Sequence, residues 1–212
     1  YAAMENAVRN ISSVTAVGYS AGSSATGLYS VLIGQAAGTN SSGYDVSIGY
    51  YAGYRTAAYT TAIGYAALSR GTGTRNVAVG VDTLRGNPYT QGQETGNSTG
   101  FNNTAIGHNA GLSYNSASYN TLVGAYAGNR IDNGEYTVHI GNEAGRYATG
   151  SSNTFVGALA GKGGTTSAPY SSGGYNTALG YAAFDGFTTA NYSTAIGYAA
   201  GGAITTGNSN TL

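Results

Sequence analysis

One short unit, Tyr-Asn-Thr-Ala-Ile-Gly-Tyr-Ala-Ala-Gly in its fullest form, returns along the whole chain. A chain so repetitive buries apolar surface by stacking copies of that unit on one another. The glycine that follows the aliphatic residue falls at Gly18, Gly34, Gly49, Gly64, Gly80, Gly107, Gly124, Gly141, Gly157, Gly180 and Gly197. Successive spacings are 16, 15, 15, 16, 27, 17, 17, 16, 23 and 17 residues, so a coil of 15–17 residues carries two longer excursions. These are residues 81–101 and 162–174, and both prolines, Pro88 and Pro169, fall inside them. Proline cannot donate to a backbone ladder, so its confinement there marks the rest as repeat core.

The residue before the glycine is always Val, Ile or Leu, from Val17 to Ile196, and two residues earlier it is always Thr or Val, from Thr15 to Thr194. Two residues earlier again, tyrosine recurs at Tyr29, Tyr44, Tyr59, Tyr119, Tyr136, Tyr175 and Tyr192. Ranks two apart share a face of a strand, and β-branched and aromatic residues suit a pleated surface. The spacing predicts a short strand whose Val/Ile/Leu and Thr/Val ranks point inward as vertical ladders, so that a Val156→Asp change would bury a charge. Stacked tyrosines would fill and stiffen the solenoid in the same way. The looser rank between them, from Ala16 to Ala195 and including His139 and Phe155, is then the opposite face, toward solvent or a neighbouring chain. Helix is disfavoured, because each unit carries one or two glycines at ~1 kcal/mol apiece. The glycine reads as a corner, and the Ala-Gly text after it as a second short extended segment. The fold expected is all-β, a single parallel β-solenoid over residues 1–212, with eleven complete repeats and partial repeats at both ends.

Composition narrows function by exclusion. Thirty-six glycines and twenty tyrosines accompany only eight basic and eight acidic residues, for a net charge of zero. Phosphate neutralisation needs a basic surplus, so a nucleic-acid partner is not expected. Membrane insertion is not expected either, since no apolar stretch approaches ~20 residues. There is no cysteine, hence no disulfide or thiolate chemistry. The histidines, His108 and His139, occupy different ranks, and the carboxylates, among them Asp82, Glu143 and Asp185, share no spacing that builds a site. The Gly-Gly-x-Gly-x-Asp nonapeptide of calcium rolls does not occur, and Gly161-Lys162-Gly163-Gly164 lacks the strand–loop–helix setting of a phosphate loop. No catalytic residue, cofactor or metal is therefore expected, and the chain is not read as an enzyme.

The segments Asn103-Thr104-Ala105-Ile106-Gly107-His108-Asn109-Ala110-Gly111 and Ser193-Thr194-Ala195-Ile196-Gly197-Tyr198-Ala199-Ala200-Gly201 carry a resemblance. They resemble the head repeats of trimeric autotransporter adhesins, and more closely the Asn-Thr-Ala-Ile-Gly-Tyr repeats of phage tail fibres and bacterial surface fibres. That resemblance implies a left-handed parallel β-roll, a homo-oligomer such as a trimer, and an extracellular, cell-surface or virion location.

The leading functional expectation is a structural fibre segment; the alternative is the adhesive, receptor- or carbohydrate-binding part of such a fibre. Tyr19, Tyr50, Tyr65, Tyr181 and Tyr198, each directly after a corner glycine, are the candidate ligand-facing aromatics, with the two excursions as candidate recognition loops. Sequons place candidate glycan acceptors at Asn10, Asn40, Asn97, Asn102 and Asn191. Flat threonine arrays let some solenoids bind ice, but a Thr/Val rank facing inward counts against that use. Tyr1-Ala2-Ala3-Met4 matches Tyr65-Ala66-Ala67-Leu68, and Ser209-Asn210-Thr211-Leu212 matches Tyr119-Asn120-Thr121-Leu122. Both ends thus break inside a repeat, which predicts that the coils stack on further coils, either by chain continuation or by head-to-tail contact between subunits, at ~58 Å per twelve-coil unit.

Overall fold

The computed structural model describes residues 13–26, 28–86, 98–164 and 170–212. Eleven three-residue strands follow one another: β1 (Thr15–Val17), β2 (Val31–Ile33), β3 (Val46–Ile48), β4 (Thr61–Ile63), β5 (Val77–Val79), β6 (Thr104–Ile106), β7 (Thr121–Val123), β8 (Val138–Ile140), β9 (Thr154–Val156), β10 (Thr177–Leu179) and β11 (Thr194–Ile196). They form one parallel sheet in strictly sequential order, so each coil contributes one strand and stacks on its predecessor. At ~4.8 Å per strand the sheet is about 48 Å long. The register pairs like with like, Thr15 with Val31, Ala16 with Leu32 and Val17 with Ile33, as the repeat alignment requires. Thr211 bridges Thr194 in parallel and begins the next rung. No helix occurs among the described residues, hence none long and apolar enough to cross a membrane.

The sheet faces the other way from the sequence expectation. Within every strand the outer two residues are exposed or half-buried, and the central residue is buried in ten of the eleven, Ala16 in β1 being half-buried. Ile106 is 43% and Ile196 58% exposed, while His139 and Phe155 are fully buried. Val156 is half-buried on the outer face, so Val156→Asp there does not place a charge in the core. The cause is geometric: a three-residue strand aims one side chain at one face and two at the other. The interior of so narrow a coil accepts the single rank, which is why that rank is mostly alanine.

The rest of each coil is not a second strand. It is a run of tight turns in which every second residue has positive φ, for example Gly34 (+127°), Ala36 (+55°), Gly38 (+61°) and Asn40 (+57°). Non-glycine residues in this region cost roughly 1–2 kcal/mol each. Backbone pairing offsets that cost. Ala36 N–H donates to Tyr19 O in the coil before at 2.9 Å, Gly38 N–H to Ala52 O in the coil after at 2.9 Å, and Asn40 N–H to Ser23 O in the coil before at 2.9 Å. The residues between close turns on their own coil, as in Ser41 N–H to Gly38 O at 3.1 Å. The corner glycine behaves as expected: a Cβ on Gly34 would stand 2.5 Å from the carbonyl oxygen of Gly49.

The core has three components. The central strand rank faces the alanine rank that follows the corner, Ala37, Ala52, Ala67, Ala110, Ala127, Ala144, Ala160 and Ala183, all fully buried. The next position is glycine wherever the strand supplies a large residue. A Cβ on Gly38 would strike Leu32, one on Gly145 would strike His139, and one on Gly161 would strike Phe155. Where the strand supplies only Ala62, Ala78 or Ala178, that position is instead Leu68, Leu84 or Phe184, all fully buried. The third component is an asparagine ladder just before the strands. Asn103 N–H donates to Asn76 Oδ1 at 2.9 Å, Asn120 N–H to Asn103 Oδ1 at 3.1 Å, and Asn176 N–H to Asn153 Oδ1 at 2.9 Å. Their Nδ2 groups donate to backbone carbonyls, Asn103 to Ala117 O at 2.8 Å and Asn120 to Gly134 O at 2.9 Å. Each buried amide is thereby satisfied by the coils on either side of it.

Candidate functional site

The outward face of the sheet is the most regular surface of the molecule. It carries two parallel ladders, one of Val, Ile and Leu and one of Thr and Val, in eleven rungs. The premise that set ice binding aside, an inward threonine rank, therefore does not hold. The array is nonetheless mixed: Val31, Val46, Val77 and Val138 interrupt the threonines, and the companion ladder is wholly aliphatic. Beside this face runs the tyrosine rank that precedes the strands. Its members stand at positive φ, 55° at Tyr29 and 65° at Tyr59, so they lie outside the strand rather than continuing it. Tyr44 and Tyr59 stack at 4.9 Å, Tyr119 and Tyr136 at 4.9 Å, and Tyr175 and Tyr192 at 5.0 Å. Expected to fill the solenoid, these rings instead form exposed ladders on its surface.

The five tyrosines singled out after the corner glycine are all exposed, Tyr198 most of all at 81%. They form no continuous row. Tyr50 stacks on Tyr65 at 5.3 Å and Tyr181 on Tyr198 at 5.4 Å, while Gln35 separates Tyr19 from the first pair. Of the glycan acceptors, Asn40 is exposed, and Asn102 and Asn191 are half-buried. The side chain of Asn191 is engaged, its Oδ1 accepting from Gly174 N–H at 2.8 Å and its Nδ2 donating to Thr189 O at 2.7 Å. Asn10 and Asn97 lie outside the described residues, as do residues 87–97 and 165–169 of the two excursions. The excursions rejoin the stack at Ser98, which bridges Gly71, and at Ser171, which bridges Ala148.

The titratable groups do not converge. His139 is fully buried, stacked on Phe155 at 5.0 Å, with neither ring nitrogen hydrogen-bonded, and burial pushes its pKa down to about 3. Asp45, also fully buried, stands in the asparagine ladder and is pushed up to about 6 by burial. Hydrogen bonds counter that shift: Thr60 N–H and Oγ1 donate to Oδ1 at 3.0 and 2.8 Å, and Gly43 N–H to Oδ2 at 3.1 Å. Burial likewise raises Asp132, with Arg130 opposing. Glu143 holds Arg146 at 3.1 Å and Lys162 at 3.5 Å on the turn side. No group of three or more His, Asp or Glu able to hold a metal occurs among the described residues.

Sequence reasoning missed two features. One is the asparagine ladder, whose signal was present in the asparagine directly before several strands, Asn76, Asn103, Asn120, Asn153 and Asn176. The other is an open cleft of about 390 Å³ beside β3 and β4, bordered by Tyr50, Tyr51, Tyr54, Tyr65, Arg70 and Arg85. Its signal was a break in the repeat, with Tyr51 and Tyr54 standing where most coils carry smaller side chains.

Stacking, register and interior together define the chain as a parallel β-solenoid repeat protein. Compared with protein-family models, with curated proteins and with solved structures, it matches none.

Proposed function

We propose that this chain is a structural segment of a fibre on a cell or virion surface, and that copies of it mate through the outward face of the sheet. The observation that supports this reading is the double ladder of Val, Ile, Leu and Thr, whose members are exposed or half-buried in all eleven described strands. Isolated proteins seldom present contiguous apolar patches that large unless something binds there. A neighbour bearing the same ladders offers the same rise per rung, so identical chains fit in register along the whole length of the sheet. With no net charge and no cysteine, and bonded coil to coil along the described residues, the solenoid suits a mechanical rather than a chemical task.

Sedimentation of the chain at micromolar concentration tests this. The chain should run as a homo-oligomer, and the triple variant Ile63→Asp, Ile106→Asp, Ile140→Asp should run as a monomer with an unchanged β-type circular dichroism spectrum. A monomeric parent chain overturns the reading. If that monomer also shows thermal hysteresis in freezing solutions, the outward threonines bind ice instead.

A second reading, recognition of a glycan or receptor by the fibre, is favoured by the exposed tyrosine pairs on the turn side. These follow the corner glycines and are not members of the outward ladders.

A further inference from the structure

The cleft beside β3 and β4 carries chemistry that the repeat does not require. Tyr51 occupies the second position after the corner glycine, where several other coils carry Ser20, Ala36, Ala66, Asn109 or Ala182. It does so at φ +55°, a conformation that a bulky residue adopts at a cost. Tyr54 stands three further on, where other coils carry Ser23, Thr39 or Ser69. Neither ring fills the core, since both are half-exposed. They lie instead against each other and their neighbours, Tyr50 to Tyr51 at 4.6 Å and Tyr51 to Tyr54 at 5.2 Å, while Tyr65 in the next coil extends the wall by stacking on Tyr50 at 5.3 Å.

Two arginines, Arg70 and Arg85, border the same cleft. Arg70 is exposed and makes no ion pair among the described residues. Arg85 uses one Nη on Asp82 Oδ1 at 2.8 Å, and the remainder of its guanidinium has no carboxylate partner among the described residues. Arg55, Arg70, Arg75 and Arg85 all fall within this stretch of a chain with only seven arginines, against Asp82 and the buried Asp45. The contrast with Arg146 is informative. That guanidinium is already placed over Tyr126 at 4.6 Å and Tyr147 at 5.1 Å and held by Glu143, so its coil offers no free cation to a ligand.

We propose that Tyr50, Tyr51, Tyr54, Tyr65, Arg70 and Arg85 form a subsite for a sugar residue bearing a carboxylate, a hexuronic acid within a glycan. This rests on the recognition reading above and gives it a place and a ligand class. Tyrosine rings offer the apolar face of a pyranose a flat surface and its hydroxyls a hydrogen-bonding tip. A guanidinium matches a carboxylate with two parallel hydrogen bonds, which a neutral sugar cannot use. A polyanion such as single-stranded nucleic acid also stacks on tyrosine, but it calls for a longer cationic track than a chain of zero net charge provides.

The test is titration of the full chain, by calorimetry or saturation-transfer NMR, with an oligogalacturonate, a neutral galacto-oligosaccharide, a sulfated galactan oligomer and oligothymidylate. Oligogalacturonate should bind with salt-sensitive affinity. Arg70→Ala should weaken it by about ten- to a hundredfold, as expected for loss of a charged hydrogen bond. Tyr54→Ala should weaken it without altering the circular dichroism spectrum. Equal binding of the neutral or sulfated sugar, or no effect of Arg70→Ala, overturns the hexuronate subsite and leaves glycan recognition standing elsewhere on the chain. Tighter binding of oligothymidylate overturns it in favour of nucleic acid. Failure of every saccharide to bind removes the subsite and leaves the recognition reading only its receptor form.

Discussion

At the residue scale, two buried titratable groups act on stability in opposite directions. Asp45 has a folded pKa near 6 against an ordinary 3.8, so between those values the folded chain holds a proton that the unfolded chain has released. Its contribution is full below the lower value and lost as pH rises through the higher. His139 has a folded pKa near 3 against an ordinary 6.5, so there the unfolded chain holds the extra proton. Its contribution is full above 6.5 and lost as pH falls. Around pH 5 the two nearly cancel, and the single variants should unmask them. His139→Phe, which repeats the Phe155 arrangement over Gly145, should leave stability falling by roughly 1 kcal/mol per unit as pH rises from 4 to 6. Asp45→Asn should leave it rising by a similar amount over the same range. Urea unfolding of both variants at about pH 4, 5 and 6 reads the two slopes. Equal slopes in both variants would show that neither group is buried as described.

At the scale of the element, the core contains complementary pairs within several coils, a strand residue against the fourth residue after the corner glycine. Where both are small, as at Ala105 and Gly111, Leu84 and Leu122 of the neighbouring coils stand against the glycine. Leu32 sits with Gly38 and Phe155 with Gly161, whereas Ala62 sits with Leu68 and Ala178 with Phe184. Leu68 holds φ +50° where most coils use glycine, and the space above Ala62 is what makes that strain worth keeping. Ala62→Leu alone should overpack the coil and cost about 1–3 kcal/mol. Leu68→Gly alone should open a cavity and cost about 2–4 kcal/mol. Combined, they recreate the Leu32–Gly38 pair, and thermal unfolding should show the double variant recovering most of both losses. A strictly additive loss would mean that the two side chains do not share a space.

The same pairs explain what the sequence made legible and what it did not. Period, strand position, corner glycines and excursions could all be read, because each leaves a residue-specific mark repeated along the chain. Facing could not, because large aliphatic residues at alternate positions are read as core by default. Here the coil is too thin to hold two such ranks, and the modest residue between them, Ala62 or Ala105, is the one inside. The turn segment was misread for a related reason. Its Ala-Gly text suits a strand as well as a string of turns, and positive φ at residues such as Ala66 and Asn109 leaves no mark in composition. The candidate site was legible in part: Tyr50 and Tyr65 were named, but the arginines that complete the cleft come from the next turns of the stack.

For the whole molecule, stacking gives a rod about 48 Å long whose sheet side and turn side have different chemistry. The sheet side carries one aliphatic ladder and one of Thr and Val, suited to an identical neighbour. The turn side carries the tyrosine pairs, the ion pairs of Glu143 and the cleft. Copies mated through the sheet would shelter the outward ladders while presenting the turns. Because the chain contains no cysteine, an introduced one is unique, and its pairing reports directly on what the sheet touches. The measurement is oxidative cross-linking of Ile106→Cys, on the outward ladder, beside Asn142→Cys, an exposed position on the turn side. Mating through the sheet predicts a covalent dimer of the Ile106→Cys chain at micromolar concentration and little of the Asn142→Cys chain. Equal cross-linking of the two variants, or a covalent dimer from Asn142→Cys alone, would contradict it.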